Sequence, residues 1–179
     1  QRQMCIRDSV ECAHRMLQQA KLNGVAYIAA TAHYAPQSAD ALSAALEKIR
    51  DQAQQQGIQL HATYEYSLGD ILESNEPLLT IGSNSPYVLV DFQSPFLPPT
   101  GLAAVGKISR DGYRMVIVHP EKLFSMAAIP ELERYITAGA ILQINAASIL
   151  PDSPAGVRAM ARKLLRKRMV SCIACLLYT

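Results

Sequence analysis

Six short apolar runs punctuate this chain, at about 25–31, 58–65, 87–91, 114–118, 140–144 and 170–174, and segments of helical period separate most of them. Apolar, β-branched runs bounded by Gly, Pro or Asn read as strands. Strands that alternate with helices through short connections build βα units, hence a parallel sheet or a barrel. The expected class is therefore α/β. The helical segments carry the matching signals. Over 10–22, Val10, Ala13, Leu17 and Ala20 share a face, and Gly24 follows the end. A second helix opens at Gln37 or Ser38, with Leu42, Leu46, Ile49 and Ala53 as its apolar stripe, and Gly57 closes it. Others are expected over 100–110, over 131–137 behind Pro130, and over 153–168 with Ser153-Pro154 as N-cap and first-turn pair. The stretch 72–85 reads as loop, with turn signals at Gly82, Asn84 and Pro86.

A chain of 179 residues, half of them hydrophobic, can bury one core. Its net charge of +2 makes no case for nucleic acid or a membrane surface. No apolar run approaches the ~18 residues of a membrane span. No secretory signal is visible, so the cytoplasm is the expected location. Of Cys5, Cys12, Cys172 and Cys175, the last two form a Cys-x-x-Cys without the second pair a zinc ribbon needs. The edges, 1–9 and 175–179, resemble translated sequencing-adapter sequence and are expected to be non-native tails around one domain over 10–174.

The strand exits carry the chemistry. The run Met115-Val-Ile-Val118 ends in His119-Pro120, and the other exits bring His33, Glu65, Asp91 and Asn145. In a parallel α/β fold all C-terminal strand ends lie on one face, so these residues converge. Alternation puts His61, Thr63 and Glu65 on one side of their strand, Tyr87, Leu89 and Asp91 on one side of theirs, and Met115, Ile117 and His119 likewise. Two imidazoles and two carboxylates at one mouth form a mixed N/O ligand set suited to Mn²⁺, Zn²⁺ or Fe²⁺. A cation would relieve the mutual repulsion of the carboxylates. His61 reads as an inward barrel residue, and His14 as an exposed helix residue. Arg162, Lys163, Arg166, Lys167 and Arg168 read as a solvated helix face.

Four motifs, in order, resemble the polymerase-and-histidinol-phosphatase (PHP) superfamily, in its bacterial capsule-type tyrosine-protein phosphatase branch. Ile28-Ala-Ala-Thr-Ala-His33-Tyr34 is similar to a strand ending in Thr-Pro-His-His, and Thr63-Tyr-Glu65 to Gly-x-Glu. Tyr87-Val-Leu-Val-Asp91-Phe92 is similar to a strand ending in Glu, and His119-Pro-Glu-Lys122 to His-Pro-Glu-Arg. Gln143-Ile-Asn-Ala-Ala-Ser148 also resembles the segment before the family's last helix.

The resemblance implies a distorted (β/α) barrel, incomplete at both ends here, with up to three metals, usually manganese. It implies that Glu65 bridges two metals, that Asp91 and His119 complete the second, and that His33 binds the third. Lys122 would meet the substrate phosphate in place of an arginine, as a point charge where the family has a planar fork. The implied reaction is phosphomonoester hydrolysis by a metal-bound hydroxide. The implied substrate is a phosphotyrosine protein, a bacterial tyrosine kinase of capsule or exopolysaccharide synthesis. The family's Asp-x-His-x-His and final Asp-x-His motifs are not found in 10–174, so this stretch alone is expected to be inactive. Oligomerisation is compatible with this reading; nucleic-acid binding and membrane insertion are not expected.

Ala32, Thr63, Asp91 and Lys122 depart from the family's Pro, Gly, Glu and Arg. They keep two other readings open: a small-molecule phosphatase of the histidinol-phosphate type, and a catalytically degenerate barrel that regulates or binds a partner. The chain has no Cys-x₅-Arg cradle, which argues against cysteine-based phosphatase chemistry.

Overall fold

A computed structural model describes residues 10–35, 39–82, 84–123 and 125–174. Cys5, Cys175, both expected tails and the helix start at Gln37 or Ser38 lie outside the described residues. The chain runs α1 (Val10–Leu22), β1 (Tyr27–His33), α2 (Ala39–Gln55), β2 (Gln59–Tyr66), α3 (Leu68–Glu73), β3 (Tyr87–Val90) and α4 (Gly101–Arg110). It continues through β4 (Arg114–Val118), α5 (Ala128–Thr137), β5 (Ile141–Asn145), α6 (Ala155–Arg166) and β6 (Val170–Ala174). Short 3-10 turns, Pro120–Lys122 and Ala146–Ile149, follow β4 and β5.

All five strand pairings are parallel, and the strands stand in sequence order from β1 to β6. Consecutive right-handed crossovers place every helix on the same face of such a sheet. The sheet curls as a half-barrel with the helices outside. The α/β barrel expectation holds.

Alternation along each strand sorts residues between the two faces. Val88, Val90, Met115, Ile117, Leu142 and Ile144 share a core with Ile108 of α4, Leu132 of α5 and Leu164 of α6. Leu89, Val116 and Val118 form a separate cluster on the inner face. At the start of the sheet, Ala30 and Ile58 pack with Leu17 of α1 and Ile49 of α2. Gly57, at φ +70°, ends α2 in the left-handed conformation that glycine adopts without steric cost.

Two local expectations need correction. The first two residues of the stretch expected as loop, Leu72 and Glu73, instead end helix α3, which is built on a reciprocal capping box. Ser67 Oγ accepts from the Asp70 N–H at 3.1 Å, while Asp70 Oδ2 accepts from the Ser67 N–H at 2.7 Å. Ser67-x-x-Asp70 ahead of buried Ile71 was the available signal. At α6, Pro154 holds the N-cap position without a side-chain cap, and Ser153 lies outside the helix. Arg158 Nη1 donates to the Ser153 carbonyl at 2.7 Å and also to the Pro151 carbonyl, tying that entry down.

Candidate metal centre

Each candidate ligand stands where a parallel strand stops. His33 is the last residue of β1 and pairs in register with Glu65 on β2. Asp91 directly follows β3, and its N–H donates to the Tyr66 carbonyl at 2.9 Å. His119 directly follows β4, its N–H donating to the Gln143 carbonyl of β5 at 2.8 Å. Parallel pairing stacks these four exits side by side at one end of the sheet.

The side chains meet. His33 Nδ1 lies 3.8 Å from Glu65 Oε2, and His119 Nε2 lies 3.9 Å from the same oxygen. His119 Nε2 also lies 3.8 Å from Asp91 Oδ2. One ligand atom each from His33, Glu65 and Asp91 falls within 4.8 Å of the others. These separations are too long for hydrogen bonds. They suit donors around a shared cation, where bonds of about 2.1 Å leave neighbouring ligands roughly 3 to 4 Å apart. His33 Nδ1 is buried without a hydrogen-bond partner among the described residues. An orphaned imidazole nitrogen aimed at a carboxylate is a ligand position ready for a metal. The donor set fits a divalent cation.

Burial opposes ionisation of Glu65, but His119, His33 and Lys122 outweigh it and hold the carboxyl below its ordinary range. Glu65 is thus held in its anionic form, the form able to ligate a cation. Lys122 is exposed, and its side chain makes no hydrogen bond or ion pair among the described residues. It stands close enough to Glu65 to affect its ionisation, and free to meet an anion.

Asp91, one methylene shorter than glutamate, is fixed by the backbone that follows it. Its Oδ1 accepts from the Gln93 N–H at 2.9 Å, with Gln93 left-handed at φ 51°, and Oδ2 is left facing His119. His119 arrives by a route that alternation did not predict. Met115 and Ile117 face the helices, whereas Leu89, and hence Asp91, face inward. His119 would follow Ile117 outward, as Phe92 does against Tyr135 at 5.6 Å. Instead its backbone turns left-handed, φ 39° and ψ 48°, and swings the imidazole in.

Asn145 does not join these four. Its N–H donates at 2.9 Å to Glu121 Oε1, which also accepts from Ser148 Oγ at 2.7 Å. Glu121 is fully buried, and its Oε2 has no hydrogen-bond partner among the described residues. Sequence reasoning passed over Glu121, because two charges after a proline gave no sign that one would be buried. His61 stacks on Tyr27 with ring centroids 6.4 Å apart and stays out of the cluster. His14 is half-buried where an exposed residue was expected, and the basic residues over 162–168 are solvated, Lys167 just past α6 pairing with Glu133 at 2.8 Å.

A sequence model of the family described as "Capsular polysaccharide synthesis, CpsB/CapC" matches residues 7–176. The chain belongs to the CpsB/CapC family. CapC of Staphylococcus aureus, a candidate tyrosine-protein phosphatase, is 27% identical over 180 residues, covering 93% of this chain and 69% of CapC. A chain from the crystal structures of YwqE from Bacillus subtilis and CpsB from Streptococcus pneumoniae superposes with a TM-score of 0.78. It is 18% identical, with 93% of this chain and 71% of that one covered, and those proteins are described as unique metal-dependent tyrosine phosphatases. The CpsB/CapC half-barrel is thus the fold on which the four candidate ligands at the strand exits converge.

Proposed function

We propose that this CpsB/CapC chain carries the metal- and phosphate-binding face of a metal-dependent protein-tyrosine phosphatase acting in capsular or exopolysaccharide synthesis. The observation that carries the reading is the meeting of His33, Glu65, Asp91 and His119 at one sheet end, with Lys122 beside them and unpaired among the described residues. The PHP-type domain would span 10–174. Its substrate class is a phosphotyrosine protein, in particular a bacterial tyrosine kinase, and its place of action the cytoplasm. Among the described residues no helix is long and apolar enough to cross a membrane.

His33, Glu65, Asp91 and His119 would hold divalent cations, manganese first, with zinc or iron(II) compatible with the same mixed donors. When bound, such cations lower the pKa of water and stabilise charge on phosphoryl oxygens. Glu65, kept anionic by its basic neighbours, supplies negative charge between the two imidazoles. Asp91 gives its free oxygen to the same space and spends the other on Gln93. Lys122 would pair with a phosphate oxygen at the mouth, orienting the ester over the ligand cluster.

The test is hydrolysis of a phosphotyrosyl peptide by the protein of the complete gene, with Mn²⁺ and with chelator, against His119→Ala and Lys122→Ala. Activity lost to chelator and to His119→Ala, with Lys122→Ala raising KM, supports the phosphatase. Faster turnover of histidinol phosphate moves the substrate to a small molecule. Absence of both hydrolysis and retained metal leaves a binding barrel.

A further inference from the structure

We infer that Glu121 is a positioning residue: its buried carboxylate ties the β4 exit to the β5 exit and so holds His119 in the conformation that faces the ligand cluster. The inference rests on the reading of His119 as a ligand, and it concerns how that ligand is aimed.

His119 needs an outside constraint. A left-handed backbone is unfavourable for any residue with a Cβ. A following proline adds to this, because it drives the preceding residue toward extended conformations. Both local preferences would continue the strand and send the imidazole outward after Ile117. Residues held against such preferences persist only where the surroundings over-determine them.

The surroundings here supply three ties. The His119 N–H donates to Gln143 at 2.8 Å, and its carbonyl accepts from the Lys122 N–H at 3.0 Å. The third tie is Glu121 Oε1, which accepts from the Asn145 N–H and the Ser148 hydroxyl, 24 and 27 residues away. It pins the Pro120–Lys122 turn against the Ala146–Ile149 turn. Glu121 is fully buried, has no ion-pair partner among the described residues, and leaves Oε2 without a hydrogen bond. For stability alone an apolar side chain of similar volume serves better.

The experiment uses the full chain without metal and reads His119 directly. Solution NMR reports the left-handed backbone of His119 through its carbon shifts and its amide coupling. Mn²⁺ affinity is measured in parallel by the electron paramagnetic resonance of free Mn²⁺. Ser148→Ala removes one donor and leaves Glu121 in place. Glu121→Gln keeps the accepting oxygen, and Glu121→Ala removes it.

Positioning predicts that Glu121→Gln keeps the left-handed signature and an Mn²⁺ affinity close to that of the parent. Ser148→Ala and Glu121→Ala should move His119 toward extended backbone and weaken Mn²⁺ about tenfold or more, as losses behind a metal ligand do. Ser148→Ala should have no further effect on affinity once His119 is alanine. A left-handed His119 that survives both Ser148→Ala and Glu121→Ala overturns the inference. A parent chain that binds no Mn²⁺, while its His119 still responds to these changes, overturns the metal reading and leaves the positioning role standing.

Discussion

His119 Nε2 lies 3.8 Å from Asp91 Oδ2, although the strands behind these two residues aim successive side chains at opposite faces of the sheet. The contact exists because one residue, His119, leaves the strand left-handed at φ 39°.

That conformation gives a prediction independent of metal. Glycine carries no Cβ penalty at positive φ, and alanine carries the full one. His119→Gly should therefore be more stable than His119→Ala by about 1 kcal/mol, with neither binding Mn²⁺ as the parent does. Urea denaturation of both variants checks it. Equal stabilities would mean that His119 is not left-handed in solution.

Asp91 gives one oxygen to the Gln93 N–H and leaves the other facing His119, as the proposed ligand. Asp91→Asn keeps an oxygen for the Gln93 N–H and loses the negative charge beside His119. Stability should change by less than about 1 kcal/mol, while Mn²⁺ affinity falls by at least about tenfold. Calorimetric titration and thermal unfolding separate the two effects. A large loss of Tm with unchanged affinity would assign Asp91 to the fold alone.

Glu65 sets an acid limit on the metal-free chain. Burial raises its pKa, but His119, His33 and Lys122 bring it below the ordinary 4.5. A depressed folded pKa contributes stability above the unfolded value, and that contribution is lost as pH falls through the folded value. Unfolding midpoints should drop on acidification below about pH 4.5, and Glu65→Gln should flatten part of that slope. An unchanged slope in the variant would remove Glu65 from the acid response.

Gly101 tests the packing that carries the β3 exit. A Cβ there would strike the Tyr135 hydroxyl oxygen and come within 2.7 Å of two ring carbons. Tyr135 is fully buried on α5, its hydroxyl donating to the Pro98 carbonyl at 3.1 Å. The ring cannot yield without losing that bond, so Gly101→Ala should destabilise the chain by about 1 to 3 kcal/mol. Thermal unfolding reads this, and a neutral variant would mean that Tyr135 has room to move.

The sequence by itself determined the alternation of strands and helices, because apolar period is a local property that survives without its partners. It also determined which residues stand at the strand exits, since a parallel sheet brings every exit to one end. His33, Glu65, Asp91 and His119 were legible for that reason, and so was the likeness to the PHP superfamily. The tertiary structure alone decided which way His119 faces. Alternation aimed it outward with Ile117, and hydrogen bonds to β5 and within the following turn reversed it. It likewise decided that Glu121 is buried and Lys122 exposed, although both follow the same proline. The partners of Glu121, Asn145 and Ser148, lie more than twenty residues away, and no local pattern records a bond of that span.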